Sequence, residues 1–285
     1  YVGSKKEMTT VICVYDSDSK FPITFSWYEG AVKHSEMVER NGLRYAHHLH
    51  ESESDVHDHF LSYLESRNPD ILIAHGAHFF DIPHLVRRLK HYKKLSPLGI
   101  VRRPPKGGNG YKACDQPILG RIVFDTAGMS KDGTGFERVW QDSGKGQLPS
   151  RKLSYIAELL GLGSKHDVDA SDWTIWEGTH PDVSFNDYVD YCVQDTLLLK
   201  KIDESRHVLG YFLAMQKLCG VSFDATHNVT RFARGLMARR TNLKPRSYER
   251  MERPDYMGAH VPAPIPGIYD DVGCFDYKGL YPSII

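Results

Sequence analysis

At 285 residues the chain is long enough to bury a sizeable core in one large or two smaller domains. Apolar residues make up 41% and charged residues 25%, ordinary for a globular protein, and 36 Lys and Arg balance 36 Asp and Glu, so overall charge carries no nucleic-acid signal. No apolar run approaches the roughly 20 residues a bilayer crossing needs, no signal-peptide core follows Tyr1, and five scattered cysteines without a C-x-x-C read as free thiols in a reducing compartment. The chain does not begin with Met, which reads as a start inside a longer protein.

In chain order, Thr9–Tyr15 and Pro22–Tyr28 read as two strands joined by the turn chemistry of Asp16-Ser-Asp-Ser. Val56, Phe60, Tyr63 and Leu64 fall on one face of a helix, with Ser52 and Asp55 as its N-terminal capping pair. Pro69-Asp70 leads into Ile71–Ala74, a short apolar run expected to be a buried strand. Leu85, Leu89 and Tyr92 suggest a further helix, with Pro83 acceptable in its first turn. Residues 94–118 read as a loop, Gly120–Asp125 as a strand and 127–150 as a long flexible insertion. Leu153, Ile156, Ala157 and Leu160 are helical with Gly161 as the stop, a helix is expected from about Phe185 to Ile202, and helical pattern continues to about Arg240. Pro254, Pro262, Pro264 and Pro266 mark an irregular crossing before a last strand. Strands alternating with helices imply an α/β sheet.

Three segments carry the chemistry. The first is Ile71-Leu-Ile-Ala-His-Gly-Ala-His-Phe-Phe-Asp81-Ile-Pro83, which ends in Phe-Asp-x-Pro after a strand. The second is Tyr191-Cys-Val-Gln-Asp195, whose Tyr and Asp share a helix face one turn apart. The third is Asp276-Tyr-Lys-Gly-Leu-Tyr-Pro-Ser-Ile-Ile285. Taken singly the first is also an ordinary strand-to-helix start with Asp as N-cap, and the second occurs on any helix. In this order they resemble the second and third exonuclease motifs and the first palm motif, Asp-x-x-Ser-Leu-Tyr-Pro-Ser-Ile-Ile, of family B DNA polymerases. The resemblance covers essentially the whole chain, with Arg121–Asp125 and Lys152–Gly161 similar to the family's linking segments and Asp125 read as structural or supporting.

The resemblance implies a ribonuclease-H-like 3'-5' exonuclease domain over residues 1–205, a helical connector over 206–255 and the start of the polymerase palm over 256–285. It implies that Asp81 and Asp195 bind Mg²⁺ or Mn²⁺ for two-metal phosphodiester hydrolysis, and that Tyr191 positions the attacking water. By the same resemblance Asp276 is a polymerisation metal ligand, Leu280 and Tyr281 bind the incoming nucleotide, and Phe80, Tyr256 and Gly258 contact DNA. The implied partners are primer-template DNA, a single-stranded 3' end, a deoxynucleoside triphosphate and the remaining polymerase polypeptide. No membrane is expected, and the expected location is the cytoplasm.

Departures from the pattern matter as much. The family's Asp-x-Glu strand, which supplies two more exonuclease ligands, is not found. The strand from Thr9 to Tyr15 looks like the one that follows it, and Asp16 and Asp18 fall in a turn. Gly76 stands where Asn or Gln is common, and Gly279 where the palm motif has Ser. With half of the carboxylates, the chain alone is expected to have no polymerase activity and little or no nuclease activity. A non-catalytic DNA-binding or assembly piece of a split polymerase is the competing reading, and a free-standing exonuclease a further one. His47, His48, His50, His57 and His59 form a dense group that is either a zinc site or packing. Trp140, Trp173 and Trp176 either stack on bases or pack. The basic stretches Arg102–Lys106 and Arg231–Arg253 are either solvated faces or nucleic-acid contacts.

Overall fold

A computed structural model describes residues 8–105, 110–111, 116–128, 135–163, 168, 172–226, 228–241, 262–275 and 279. The expected site residues Tyr256, Gly258, Asp276, Leu280 and Tyr281 lie outside them. The chain divides into two compact units, Tyr1–Leu243 and Lys244–Ile285. In the second, residues 262–275 form neither helix nor strand.

The first unit is mixed α/β. Strands β1 (Val11–Val14) and β2 (Ile23–Trp27) pair antiparallel, as expected for two strands joined at Asp16. The turn is fixed locally, with Asp18 N–H donating to Asp16 Oδ1 at 2.9 Å, and its Asp16 is tied to Arg67 of the first helix. Strands β3 (His34–Arg40) and β4 (Leu43–His50) form a hairpin that the reading of the sequence omitted. Its turn is Asn41-Gly42, both at positive φ (52° and 73°), the conformation a two-residue hairpin needs. β4 lies parallel to β2, giving the order β1-β2-β4-β3. Among the described residues a second sheet holds only β5 (Ile71–Ala74) and β6 (Ile122–Asp125), in parallel.

Helix α1 (Glu53–Arg67) is capped as its sequence predicts: Asp55 N–H donates to Ser52 Oγ at 3.2 Å. Its apolar face, Val56, Phe60, Leu61 and Leu64, packs on Phe25 and Trp27 of β2. The same core takes in Val86 and Leu89 of the next helix and Val123 of β6, so both sheets share it. Phe124, one residue on, points to the opposite face and a second core with Phe136, Ile156, Phe212 and Phe223. Helix α2 (Ile82–Arg88) is shorter than the spacing of Leu85, Leu89 and Tyr92 suggests, because Leu89 leaves helical geometry as its C-cap. Within the expected insertion 127–150 a helix α3 (Gly135–Asp142) forms, buried through Phe136. Its Gly-rich flanks hid a face made by Phe136, Val139 and Trp140.

Helices α4 (Leu153–Leu159) and α5 (Trp173–Trp176) lead to α6 (Phe185–Arg206). α6 begins in a reciprocal cap between Ser184 and Asp187. Its Val189 and Val193 pack on Tyr45 of β4. Between them Asp190, buried, accepts from Arg40 Nε (2.7 Å) and Nη2 (2.9 Å), Asn41 Nδ2 (3.0 Å) and Tyr45 Oη (2.7 Å). One carboxylate thus pins the hairpin to α6. Helices α7 (Val208–Cys219) and α8 (Val229–Thr241) complete the unit.

β5 is not the buried strand expected. Its residues are half-buried, Ile73 is 37% exposed, and among the described residues it pairs only with β6. β1 is likewise an edge strand. The rings of His48 and His50 gather around His59, with centroids 4.8 and 5.1 Å away, without forming a group able to hold a metal ion among the described residues. His47 bonds Ser26 Oγ at 2.7 Å, His48 bonds Ser35 Oγ at 2.8 Å, and His50 Nε2 faces His59 Nδ1 at 3.2 Å. Trp176 is buried edge-on to Trp27. No helix among the described residues is long and apolar enough to cross a membrane.

Candidate active site

The parallel strands β5 and β6 end side by side, Ala74 opposite Asp125. In parallel sheets ligands bind beyond the carboxyl ends of strands, and Asp81 lies there. After β5 the chain bends at Gly76 (φ 112°), enters a π-helical turn over Ala77–Asp81, and starts α2 with Pro83 in its first turn. π-turns concentrate at functional sites because they re-aim side chains. Gly76 is fitted to its place twice over, since its φ disfavours any side chain and an added Cβ would lie 3.1 Å from the Phe79 ring.

Asp125 holds this turn. Its Oδ1 accepts from Gly76 N–H (2.9 Å) and Ala127 N–H (3.0 Å), and its Oδ2 from His78 N–H (3.0 Å). Burial alone would raise the Asp125 carboxyl, but the His78 ring and these backbone donors hold it below the usual carboxylate range. Across the turn, Tyr111 N–H donates to His78 O at 2.7 Å. Gly110 approaches so closely that a Cβ there would sit 2.5 Å from Phe79 Cα. The turn is therefore clamped from both sides.

Asp81 is pushed up to about 6, by burial first and by the negative charge of Asp125 second. A raised carboxyl favours the folded state below its ordinary value near pH 4, and that contribution is lost as pH rises through about 6. At neutral pH the ionised Asp81 costs on the order of 3 kcal/mol. Asp81→Asn should therefore raise the melting temperature in chelator at pH 7.5, and the gain should vanish at pH 4; paired thermal melts at the two pH values measure it.

Tyr191 and Asp195 sit half-buried on α6, which starts at Phe185 as expected and runs one turn past the expected end near Ile202, to Arg206. The Tyr191 ring lies parallel to Tyr188, centroids 6.5 Å apart. Asp195 neighbours β1: the Cys13 thiol is pushed up to about 12, chiefly by burial, eased by a hydrogen bond from Thr196 and raised further by the charge of Asp195. The charge acting on Asp81 is that of Asp125, while the charge of Asp195 acts on Cys13. No group of three or more His, Cys, Asp or Glu side chains able to hold a metal ion occurs among the described residues. Phe80 is 64% exposed beside Asp81. Gly279 has φ 71°, a left-handed conformation in which Ser would be strained.

Sequence reasoning placed Asp125 in a supporting role without seeing that its charge acts on Asp81. The available signal was its position at the end of the expected strand Gly120–Asp125.

No protein-family model matches the chain. It is 26% identical over 243 residues to a DNA polymerase of Pyrococcus glycovorans, covering 82% of this chain and 30% of that protein. It is 26% identical over 249 residues to the DNA-directed DNA polymerase of Escherichia phage RB69, with 82% and 25% covered. DNA polymerase 120R of Invertebrate iridescent virus 3 is 25% identical over 259 residues, with 79% and 21% covered. Over most of its length the chain is thus a DNA-polymerase-like polypeptide. With its three motifs it resembles the family B DNA polymerases, and it spans less than a third of the length of these relatives.

Proposed function

We propose that the chain is the proofreading part of a family B DNA polymerase: a ribonuclease-H-like 3'-5' exonuclease domain, a helical connector and the first palm strand. The observation that carries this reading is the clamped turn at the ends of β5 and β6, which holds Asp81 half-buried beside an exposed Phe80. A carboxyl kept out of water next to a second carboxylate is suited to a cation, and its oxygens are the donors a hard divalent ion takes. The donors fit Mg²⁺ or Mn²⁺ in kind and fall short in number. Asp81 and Asp195 would hold the ion, which when bound would neutralise charge on a scissile phosphate and lower the pKa of a water. Tyr191, one turn before Asp195, would orient that water through its hydroxyl. Phe80 would stack on a base of the single-stranded 3' end. In the palm, Asp276 would hold metal, Leu280 and Tyr281 would meet the incoming nucleotide, and Tyr256 and Gly258 would touch template. Among the described residues β1 and β5 each have an edge on which a strand bearing Asp-x-Glu would pair.

The chain alone is expected to show no DNA synthesis and little or no cleavage of a 5'-labelled single-stranded oligonucleotide in Mg²⁺. Robust digestion abolished by Asp81→Ala would overturn the expectation of inactivity and leave the exonuclease assignment standing. The reading as an assembly piece of a split polymerase has its own support, because Ile268 and Phe275 are 99% and 96% exposed. Apolar side chains so placed suit contact with further polypeptide. Synthesis restored by adding the rest of a polymerase would favour it.

A further inference from the structure

The ring of His84 lies within 12° of parallel to that of Phe80, centroids 6.1 Å apart. His84 is the third residue of α2 and Phe80 belongs to the π-turn, so one tight bend brings both rings to the same side. His84 is anchored: its Nε2 lies 3.0 Å from Thr9 Oγ1, and Thr9 N–H donates to Glu53 Oε1 at 2.8 Å. Glu53 in turn is paired with Arg88 of α2. The anchor is buried and the rings are not, since Thr9 is buried, His84 half-buried, Phe80 64% exposed and Phe79 43% exposed. A phenylalanine so exposed adds little to folding, and a chain of partly buried polar contacts that fixes its neighbour points to a preorganised surface. In the last turn of α2 and beyond it the exposed Arg87, Lys90, Lys93 and Lys94 fall within eight residues. Stacking rings next to a basic stretch suit a strand whose bases have flat faces and whose backbone is anionic, and do not suit an apolar peptide.

We propose that Phe80 and His84 together form a two-ring seat for a nucleobase of single-stranded nucleic acid, with Thr9 fixing the His84 ring. The seat rests on the exonuclease reading of the Asp81 turn and adds to it a residue, His84, that the motif does not specify.

The test is binding of two single-stranded oligonucleotides, one ending in 2-aminopurine and one abasic at its 3' end, followed by fluorescence and anisotropy in chelator. His84→Ala should weaken binding of the first by about fivefold to fiftyfold and relieve quenching of the 2-aminopurine. It should leave the abasic strand unchanged, and His84→Phe should restore most of the loss. Thr9→Val should give a smaller loss with the same strand preference, and it carries the test if His84→Ala does not fold. Equal loss for both strands would reduce His84 to a structural residue and overturn the seat. Unchanged binding by His84→Ala, with Phe80→Ala still weakened, would overturn the seat alone. Absence of any binding by the unaltered chain would overturn the reading of the Asp81 turn as well.

Discussion

Replacing Asp125 with Ala is expected to lower unfolding free energy by about 4 kcal/mol, among the largest single effects in this chain. The cause is the number of donors it leaves behind. Gly76, His78 and Ala127 all give their backbone N–H to this one carboxylate, and all three are buried. Each orphaned buried donor costs about 1–3 kcal/mol, partly recovered where the turn relaxes to let water in. Asp125→Asn keeps the shape and one acceptor oxygen, so about half of that loss is expected. Urea unfolding monitored by circular dichroism gives both numbers. A second readout separates the turn from general stability. Removing the charge of Asp125 takes away one of the two causes that push up Asp81. The Asp81 carboxyl should therefore titrate lower in Asp125→Asn, measurable by carboxyl NMR.

Asp190→Ala is expected to cost about 3 kcal/mol. Four donated hydrogen bonds converge on this carboxylate, and removing it leaves the Arg40 guanidinium and the buried Tyr45 hydroxyl facing each other without their anion. Part of the Arg40 side chain reaches solvent, which keeps the cost at the lower end of the range for a broken buried pair. Tyr45→Phe removes one donor and leaves Asp190 its other partners, so about 1 kcal/mol is expected. The hairpin β3–β4 should lose amide protection before the rest of the first unit in Asp190→Ala, because that carboxylate joins it to α6. Hydrogen exchange resolved by segment measures this.

Elements whose signals are local were legible in the sequence. Ser52 and Asp55 specify the start of α1, Gly161 (φ 65°) ends the α4 region, and Asp16 with Asp18 makes the first turn. Asn41-Gly42 was equally local, the strongest short hairpin signal there is, and the strands beside it went unread because β3 is polar on both faces. The burial of β5 was not legible, since an apolar run of four residues looks the same in the centre of a sheet and at its edge. For the candidate site, Phe-Asp-x-Pro identified Asp81 and placed Phe80 beside it. The grip of Asp125 on Gly76 and His78 spans nearly fifty residues of sequence and depends on strand pairing, which no local pattern contains. The bond between Thr9 and His84 spans still more.

The parallel match of Ala74 with Asp125 has a consequence for how this protein can fail. Side chains along β6 alternate, so a one-residue slip during folding would carry Phe124 to where the turn needs an acceptor and bury Asp125 among aromatic rings. Such a misregistered chain would keep its helices and most of its compactness while losing the Asp81 turn entirely. Four residues on each strand thus decide between the native register and a slipped one.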